Sequence, residues 1–336
     1  MARAVRRVLQ GAVAVTRAKA LGLLPPPLTA RRTLDALRAD AGWVPPDALE
    51  LIVRLNAAAR GLRDDDRSNR WLHYRWVSVF EEMFDAVEDG LVPRLGFDAV
   101  SFGAGSRNPL ALPLLLFLGG ARRVHVVEPE LGPTTADWRL RWGLQEIVLR
   151  VLTGDVCSRH FVRAPAEIEA FVDLRALFFG TDTTSALRPD GARVLDAYLE
   201  DCQIPPATIG LVTSRSVLEH VTHTGRCFDA LAAMVKSGGI MYHDVDLTAH
   251  DDGDPFAFYY AGDGDDGARR PDGLNGLRLG DYLDAFARRG FDSRVVKREL
   301  RTDYRLDRSR LLERFRGYGD DDLRCARAVI VSRRRG

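Results

Sequence analysis

The chain has 336 residues, a length for one or two domains that bury a full core without disulfide or metal staples. Its 48 lysines and arginines nearly cancel 47 aspartates and glutamates, and the net charge of +1 argues against a nucleic-acid partner. Lysine occurs only at 19, 236 and 297, so the arginine richness reads as base-composition bias of the genome, not phosphate recognition.

Residues 1–95 read as a helical cap. Leu34, Leu37 and Ala41 keep helical spacing, as do Leu49, Ile52, Val53 and Ala57, and again Val77, Phe80, Phe84 and Val87. Pro25-Pro26-Pro27 and Pro45-Pro46 punctuate these helices. Arg3 to Leu24 mixes arginine with apolar residues; a helix docked on its own domain is the expected reading, with contact to a membrane surface as the alternative. The segment lacks the apolar core and cleavage site of a signal peptide. No apolar run reaches the ~18–20 residues that span a bilayer.

From residue 96 the texture becomes that of an α/β domain running to 336. A short strand, Phe97 to Phe102, enters Gly103-Ala104-Gly105; a helix follows from about Asn108 to Leu118, closed by Gly119-Gly120. A second strand runs from Val124 to Glu128. Strand, glycine turn, helix and strand make one βαβ unit and imply a parallel sheet. Residues 134–190 are expected to be a mainly helical insertion, and further strands are placed at Arg193–Leu199, Ile209–Thr213 and Ile240–Leu247. Helices are expected around Cys227–Val235 and over Leu279–Arg289. Residues 251–273, rich in Asp and Gly, read as a solvated acidic loop, and they lack the bidentate Glu of a calcium loop. Strands near Ser293–Leu300 and Cys325–Ser332 finish the sheet as a hairpin. The fold class is therefore a doubly wound, Rossmann-like sheet of seven strands with an N-terminal helical cap.

Two features point to a nucleoside ligand. Gly103 and Gly105 let the backbone approach a ligand where a Cβ would clash, ahead of a helix N-terminus with unpaired N–H groups. Glu128 closes the second strand about 25 residues later, where a carboxylate accepts hydrogen bonds from ribose hydroxyls. The four cysteines, 157, 202, 227 and 325, form no CxxC pair, so neither a zinc ribbon nor a small disulfide scaffold is expected, and free thiols in a cytoplasmic protein are.

With these motifs the chain resembles the class I S-adenosylmethionine-dependent methyltransferases from about Phe97 to Phe291. Val100 to Gly105 is similar to that family's first motif and Val124 to Glu128 to its ribose-binding strand end. Asp201-Cys202-Gln203-Ile204-Pro205 resembles the segment whose Asp holds the adenine amino group, the next residue's N–H meeting the ring. Leu211 to Val221, with Ser214, Arg215 and Leu218-Glu219-His220-Val221, resembles the fourth strand and the turn lining the methionine end. Lys236-Ser237-Gly238-Gly239 looks like the turn before the fifth strand. Asn108-Pro109, His243-Asp244-Val245-Asp246-Leu247 with His250, and Pro255-Phe256 resemble a subgroup associated with glycan and natural-product assembly. Two positions depart from the pattern: Ser101 stands where the family has an acid for the methionine ammonium, and Arg107 where it has a third glycine. A group elsewhere, on the segment 68–76, is expected to take that charge.

The resemblance implies S-adenosylmethionine as cofactor and methyl transfer to a small or medium-sized acceptor, with a sugar or natural-product hydroxyl expected. Such a reaction needs alignment, exclusion of water and a base for the hydroxyl proton. His243 is the first choice for that base, since its intrinsic pKa lies near working pH, with His220 second and Asp246 beside them. Binding of a metal by His243, Asp244, Asp246, His250 and His220 is not expected, because alternation along a strand spreads them over two faces. Trp71, His73, Tyr74 and Trp76 either cap an acceptor pocket or pack a helix. The alternatives are a non-catalytic binding protein on the same fold and a nicotinamide-dependent oxidoreductase. Asn108 at the sixth position of the glycine turn counts against the latter.

Overall fold

The computed structural model describes residues 74–87, 96–103, 109–129, 141, 143–145, 147–148, 151, 156–179, 183–250, 253–260 and 273–336. Most of the expected helical cap, Ala104 and Gly105, Arg107, and the start of the helical insertion lie outside these residues, as do the proposed N-terminal membrane contact and Trp71 and His73. Among the described residues, no helix is long and apolar enough to cross a membrane.

Seven strands form one mixed sheet in the order β3-β2-β1-β4-β5-β7-β6. They are β1 Phe97–Phe102, β2 Ala121–Val127, β3 Ala192–Leu195, β4 Ile209–Arg215, β5 Val235–Asp246, β6 Phe291–Leu300 and β7 Cys325–Arg334. β1 pairs in parallel with β2 and β4, and β4 with β5. β7 is antiparallel to both β5 and β6, so the expected terminal hairpin closes the sheet. The expectation of a doubly wound seven-stranded sheet holds, and its order reverses between β1 and β4, the position where such sheets open a crevice.

The chain divides into two compact units: Met1–Glu81, Gly105–Gly120 and Leu131–Arg193; and Glu82–Ala104, Ala121–Glu130 and Val194–Gly336. In the first, the helix Ala111–Leu118 is buried at every residue. Its Phe117 ring meets Phe171 at 5.4 Å between centroids and carries the Arg163 guanidinium at 4.0 Å. Of the insertion, the described parts include a 3-10 turn at Pro165–Ala170 and a helix at Leu174–Phe179.

In the second unit, strand alternation builds the core. Val100 and Phe102 of β1, Val212 of β4, Met241 and Val245 of β5 and Ile330 of β7 turn to one face. They meet Phe228 and Leu231 of the helix Thr224–Met234, and Tyr282 and Phe286 of the helix Leu279–Arg288. Each such aromatic or leucine side chain contributes about 1.5–3 kcal/mol on burial.

Two expectations shift. β5 begins at Val235, not Ile240, because Gly238 and Gly239 sit inside it. Pairing slips there, from Ile209 opposite Val235 to Leu211 opposite Ile240, as a bulged strand does. The segment expected as a solvated loop contains a 3-10 turn at Ala257–Tyr259, with Phe256 and Tyr259 buried in a satellite core with Leu311, Phe315 and Leu323.

Arg278 ties this satellite to the sheet. It is wholly buried, donates to the carbonyls of Leu247 (2.8 Å), Asp322 (2.9 Å) and Cys325, and lies over the Tyr259 ring. Leu247 N–H also donates to Ala326 O at 2.8 Å. The backbone is thus pinned directly after β5, where the candidate site begins.

Candidate functional site

Gly103 follows β1 with φ +62, and its N–H donates to Val127 O at 2.8 Å. That bond ties the turn to the end of β2. A Cβ at Gly103 would lie 2.3 Å from Cγ2 of Val217, so both the left-handed backbone and the close approach require glycine. Val217 belongs to the turn after β4. The two loops flanking the reversal in strand order therefore touch through Gly103. Ser216, beside it, is a non-glycine residue at φ +48, its N–H held by Asp244 O at 2.8 Å. Such strained backbone clusters at ligand sites. Ser216 and Val217 lie in the Leu211 to Val221 stretch that resembles the fourth strand and the turn lining the methionine end; neither the positive φ nor the contact with Gly103 is legible in the sequence.

Glu128 lies directly after β2, 7% exposed, its N–H donating to Leu195 O at 3.1 Å. Because Phe102 is paired with Val127, Gly103 and Glu128 sit side by side at the carboxyl ends of neighbouring strands. Ser101 is buried at the end of β1, between Val126 and Thr213.

The other residues expected at the cofactor are engaged with protein groups. Asp201 lies on a 3-10 turn, half exposed, and accepts from Arg226 at 2.8 Å. Cys202 directs its thiol to Tyr198 O at 3.3 Å. Ser214 Oγ shares a hydrogen bond of 2.7 Å with His243 Nδ1. Arg215 Nε lies 3.3 Å from Asp244 Oδ2, and Arg327 Nε donates to Asp244 Oδ1 at 2.6 Å. Burial of Arg215 lowers its pKa, partly offset by the Asp244 charge, while the hydrogen bond to Asp244 raises that of Arg327.

The histidines separate. His243 is fully buried and stacks on Phe286 at 5.5 Å between centroids. Burial alone pushes its pKa down to about 3, so the ring is neutral at working pH. Its Nδ1 is taken by Ser214, and its Nε2 has no hydrogen-bond partner. Asp244 points to the opposite face of the strand, as alternation requires.

His220 and His250 are exposed and meet with ring centroids 4.8 Å apart. Near both lies Glu219, on the 3-10 turn Leu218–His220 and 3% exposed. Glu219 Oε1 accepts from Asp246 N–H at 3.3 Å, whereas Oε2 is buried without a partner. Burial pushes its pKa up to about 8, with the Asp246 charge adding to the rise. Asp246 Oδ2 is 3.9 Å from His250 Nε2, and its Oδ1 accepts from Thr248. Asn275 braces the turn: its N–H donates to Glu219 O (2.6 Å) and its amide to the carbonyls of Leu218 and Val221. Glu219 stands in the Leu218-Glu219-His220-Val221 stretch that resembles the turn lining the methionine end, but its convergence with His250 carries no sequence signal until the fold brings the two loops together.

No family model and no curated protein matches the chain. Solved structures to which it is similar include the YcgJ protein of Bacillus subtilis, at 11% identity over 79% of this chain and 100% of that one, with a TM-score of 0.42. Another is geranyl diphosphate C-methyltransferase of Streptomyces coelicolor, at 10% identity over 76% and 78%, with a TM-score of 0.42. A third is a precorrin-6y C5,15-methyltransferase of Geobacter metallireducens, at 10% identity over 76% and 88%, with a TM-score of 0.37.

Proposed function

We propose that this protein is an S-adenosylmethionine-dependent methyltransferase acting on a hydroxyl of a sugar or natural product. The observation that carries the reading is Gly103 beside buried Glu128, at the carboxyl ends of β1 and β2 where the strand order reverses. A nucleoside cofactor fits there: Gly103 leaves room for close backbone approach, and Glu128 offers a carboxylate to a ribose diol. The stretches resembling the family's motifs, Val100 to Gly105 and Val124 to Glu128, include these same residues.

When bound, the cofactor supplies an electrophilic methyl group on a sulfonium leaving group. The chain's own work is to hold the two reactants in line and keep water out. His220, exposed on the turn after β4, is the histidine placed to take an acceptor proton. His243, neutral and held by Ser214, instead fixes the β4–β5 pairing beneath the site.

Calorimetry with S-adenosylmethionine and S-adenosylhomocysteine tests the reading. Both are expected to bind, and Glu128→Ala is expected to weaken binding about tenfold, near 1.4 kcal/mol. Unchanged affinity in that variant removes the ribose assignment. No heat and no thermal shift with the parent protein favours a non-catalytic binding protein on this fold.

A further inference from the structure

We propose that Glu219, His220 and His250 form a binding site for a divalent transition-metal ion at the open end of the sheet. Their donor atoms, one carboxylate oxygen and two imidazole nitrogens, all lie within 4.8 Å of one another. They come from two separate loops, after β4 and after β5, so their convergence is a product of the fold and not of a local sequence run. Two imidazoles and a carboxylate are a donor set for Zn²⁺, Mn²⁺, Fe²⁺ or Co²⁺; Mg²⁺ and Ca²⁺ prefer oxygen alone.

The second observation is Glu219 itself. A carboxylate 3% exposed, with one oxygen satisfied by Asp246 N–H and the other buried with no partner, is a costly arrangement for an ordinary turn residue. A cation between Glu219 and the two rings would satisfy that oxygen. Metal ligands sit on braced backbone with oriented neighbours, and this cluster has both. Asn275 ties down the Leu218–His220 turn, Arg278 pins the chain at Leu247, and Asp246 stands 3.9 Å from the His250 ring.

Closing to the donor spacing of about 3.4 Å implied by metal–ligand bonds near 2.1 Å asks for roughly an ångström of contraction. The two rings, both exposed, can supply it by side-chain rotation. With three protein ligands and an outward-facing side, the ion keeps a position for water or a ligand oxygen. If the methyltransferase reading holds, that position would take the acceptor hydroxyl and lower its pKa, so His220 would act through the ion and not as a free base. This role rests on the methyltransferase reading; the metal site does not.

The test is titration of the chelator-treated full chain with Co²⁺ and with Zn²⁺, followed by visible absorption and calorimetry without cofactor. The expected result is one equivalent bound at micromolar affinity or better, with Co²⁺ ligand-field bands. His220→Ala and His250→Ala are each expected to weaken binding at least tenfold, and Glu219→Gln likewise. Both histidines are exposed, so the variants leave no core cavity. His223→Ala, exposed nearby and outside the cluster, should bind as the parent does. No stoichiometric binding, or full affinity in both histidine variants, overturns the site. Metal binding without S-adenosylhomocysteine binding keeps the site and removes the methyltransferase reading; the reverse result does the opposite.

Discussion

Two histidines of one short segment meet opposite fates. His243 lies within β5 and is sealed between Ser214 and Phe286; His250, past the strand's end, is exposed and faces His220. Within the strand, hydrogen-bond register fixes every side chain to one face or the other, and both faces at this depth are covered. Past Asp246 the register ends, and after buried Leu247 the chain reaches exposed His250. The difference teaches that a strand's last residues build the support of a site, while the residues just beyond it carry the chemistry.

The sharpest break of this comparison is on the face opposite His243. Asp244→Ala leaves Arg215 and Arg327 packed at the sheet end without their shared carboxylate. A loss of about 3 kcal/mol in unfolding free energy is expected, measured by denaturant titration. A loss under about 1 kcal/mol would mean that this part of β5 is not the rigid support it is taken to be.

Next in size is the exchange of roles between histidines. His220→Ala is expected to lower turnover about 10²-fold, near 2.7 kcal/mol, with unfolding free energy nearly unchanged. His243→Ala should do the reverse: it opens a hole beside Phe286 and orphans the Ser214 hydroxyl, costing about 2 kcal/mol of stability, while turnover per folded molecule stays within a few-fold. A variant of His243 that folds as well as the parent yet turns over 10²-fold more slowly would restore it as the base.

A smaller effect is expected at the loop contact. Gly103→Ala puts a methyl group against Val217 and a side chain at positive φ, at a cost of about 1–2 kcal/mol and a matching loss of cofactor affinity. Adding Val217→Ala separates the causes. Recovery in the double variant assigns the effect to the clash, and no recovery assigns it to the backbone.

Much of the scaffold was legible in the sequence. Val100 to Phe102, Val124 to Val127 and Leu211-Val212 are apolar runs between breakers, and such runs mark parallel strands buried on both faces. What misled were local signals with a tertiary override. Gly238-Gly239 reads as a turn yet lies inside a bulged strand, and acidic neighbours masked Phe256 and Tyr259 as core. The site was legible by halves. Alternation told that His243 and Asp244 face apart, but not that Phe286, on a helix far along the chain, covers the histidine. Nor does spacing reveal that Glu219 and His250 converge, since that depends on how β4 and β5 end against each other.

The finest probe of the two environments is acid. In the unfolded chain His243 takes a proton near its ordinary pKa of 6.5; in the folded protein, burial holds that event down to about 3. Between these values the unfolded state binds the extra proton, so stability falls as pH is lowered from about 6.5 towards 3 and is fully present above 6.5. One such group gives a slope of about 1.4 kcal/mol per pH unit across that window. Replacing the ring by a neutral side chain removes its share, so His243→Gln, though less stable at pH 7.5, should show a slope shallower by up to that amount in urea titrations between pH 6 and 4.5. Equal slopes in the parent and His243→Gln would mean that the His243 ring is hydrated and can be protonated in the native state, and the distinction between a sealed and an open histidine at this end of the sheet would be lost.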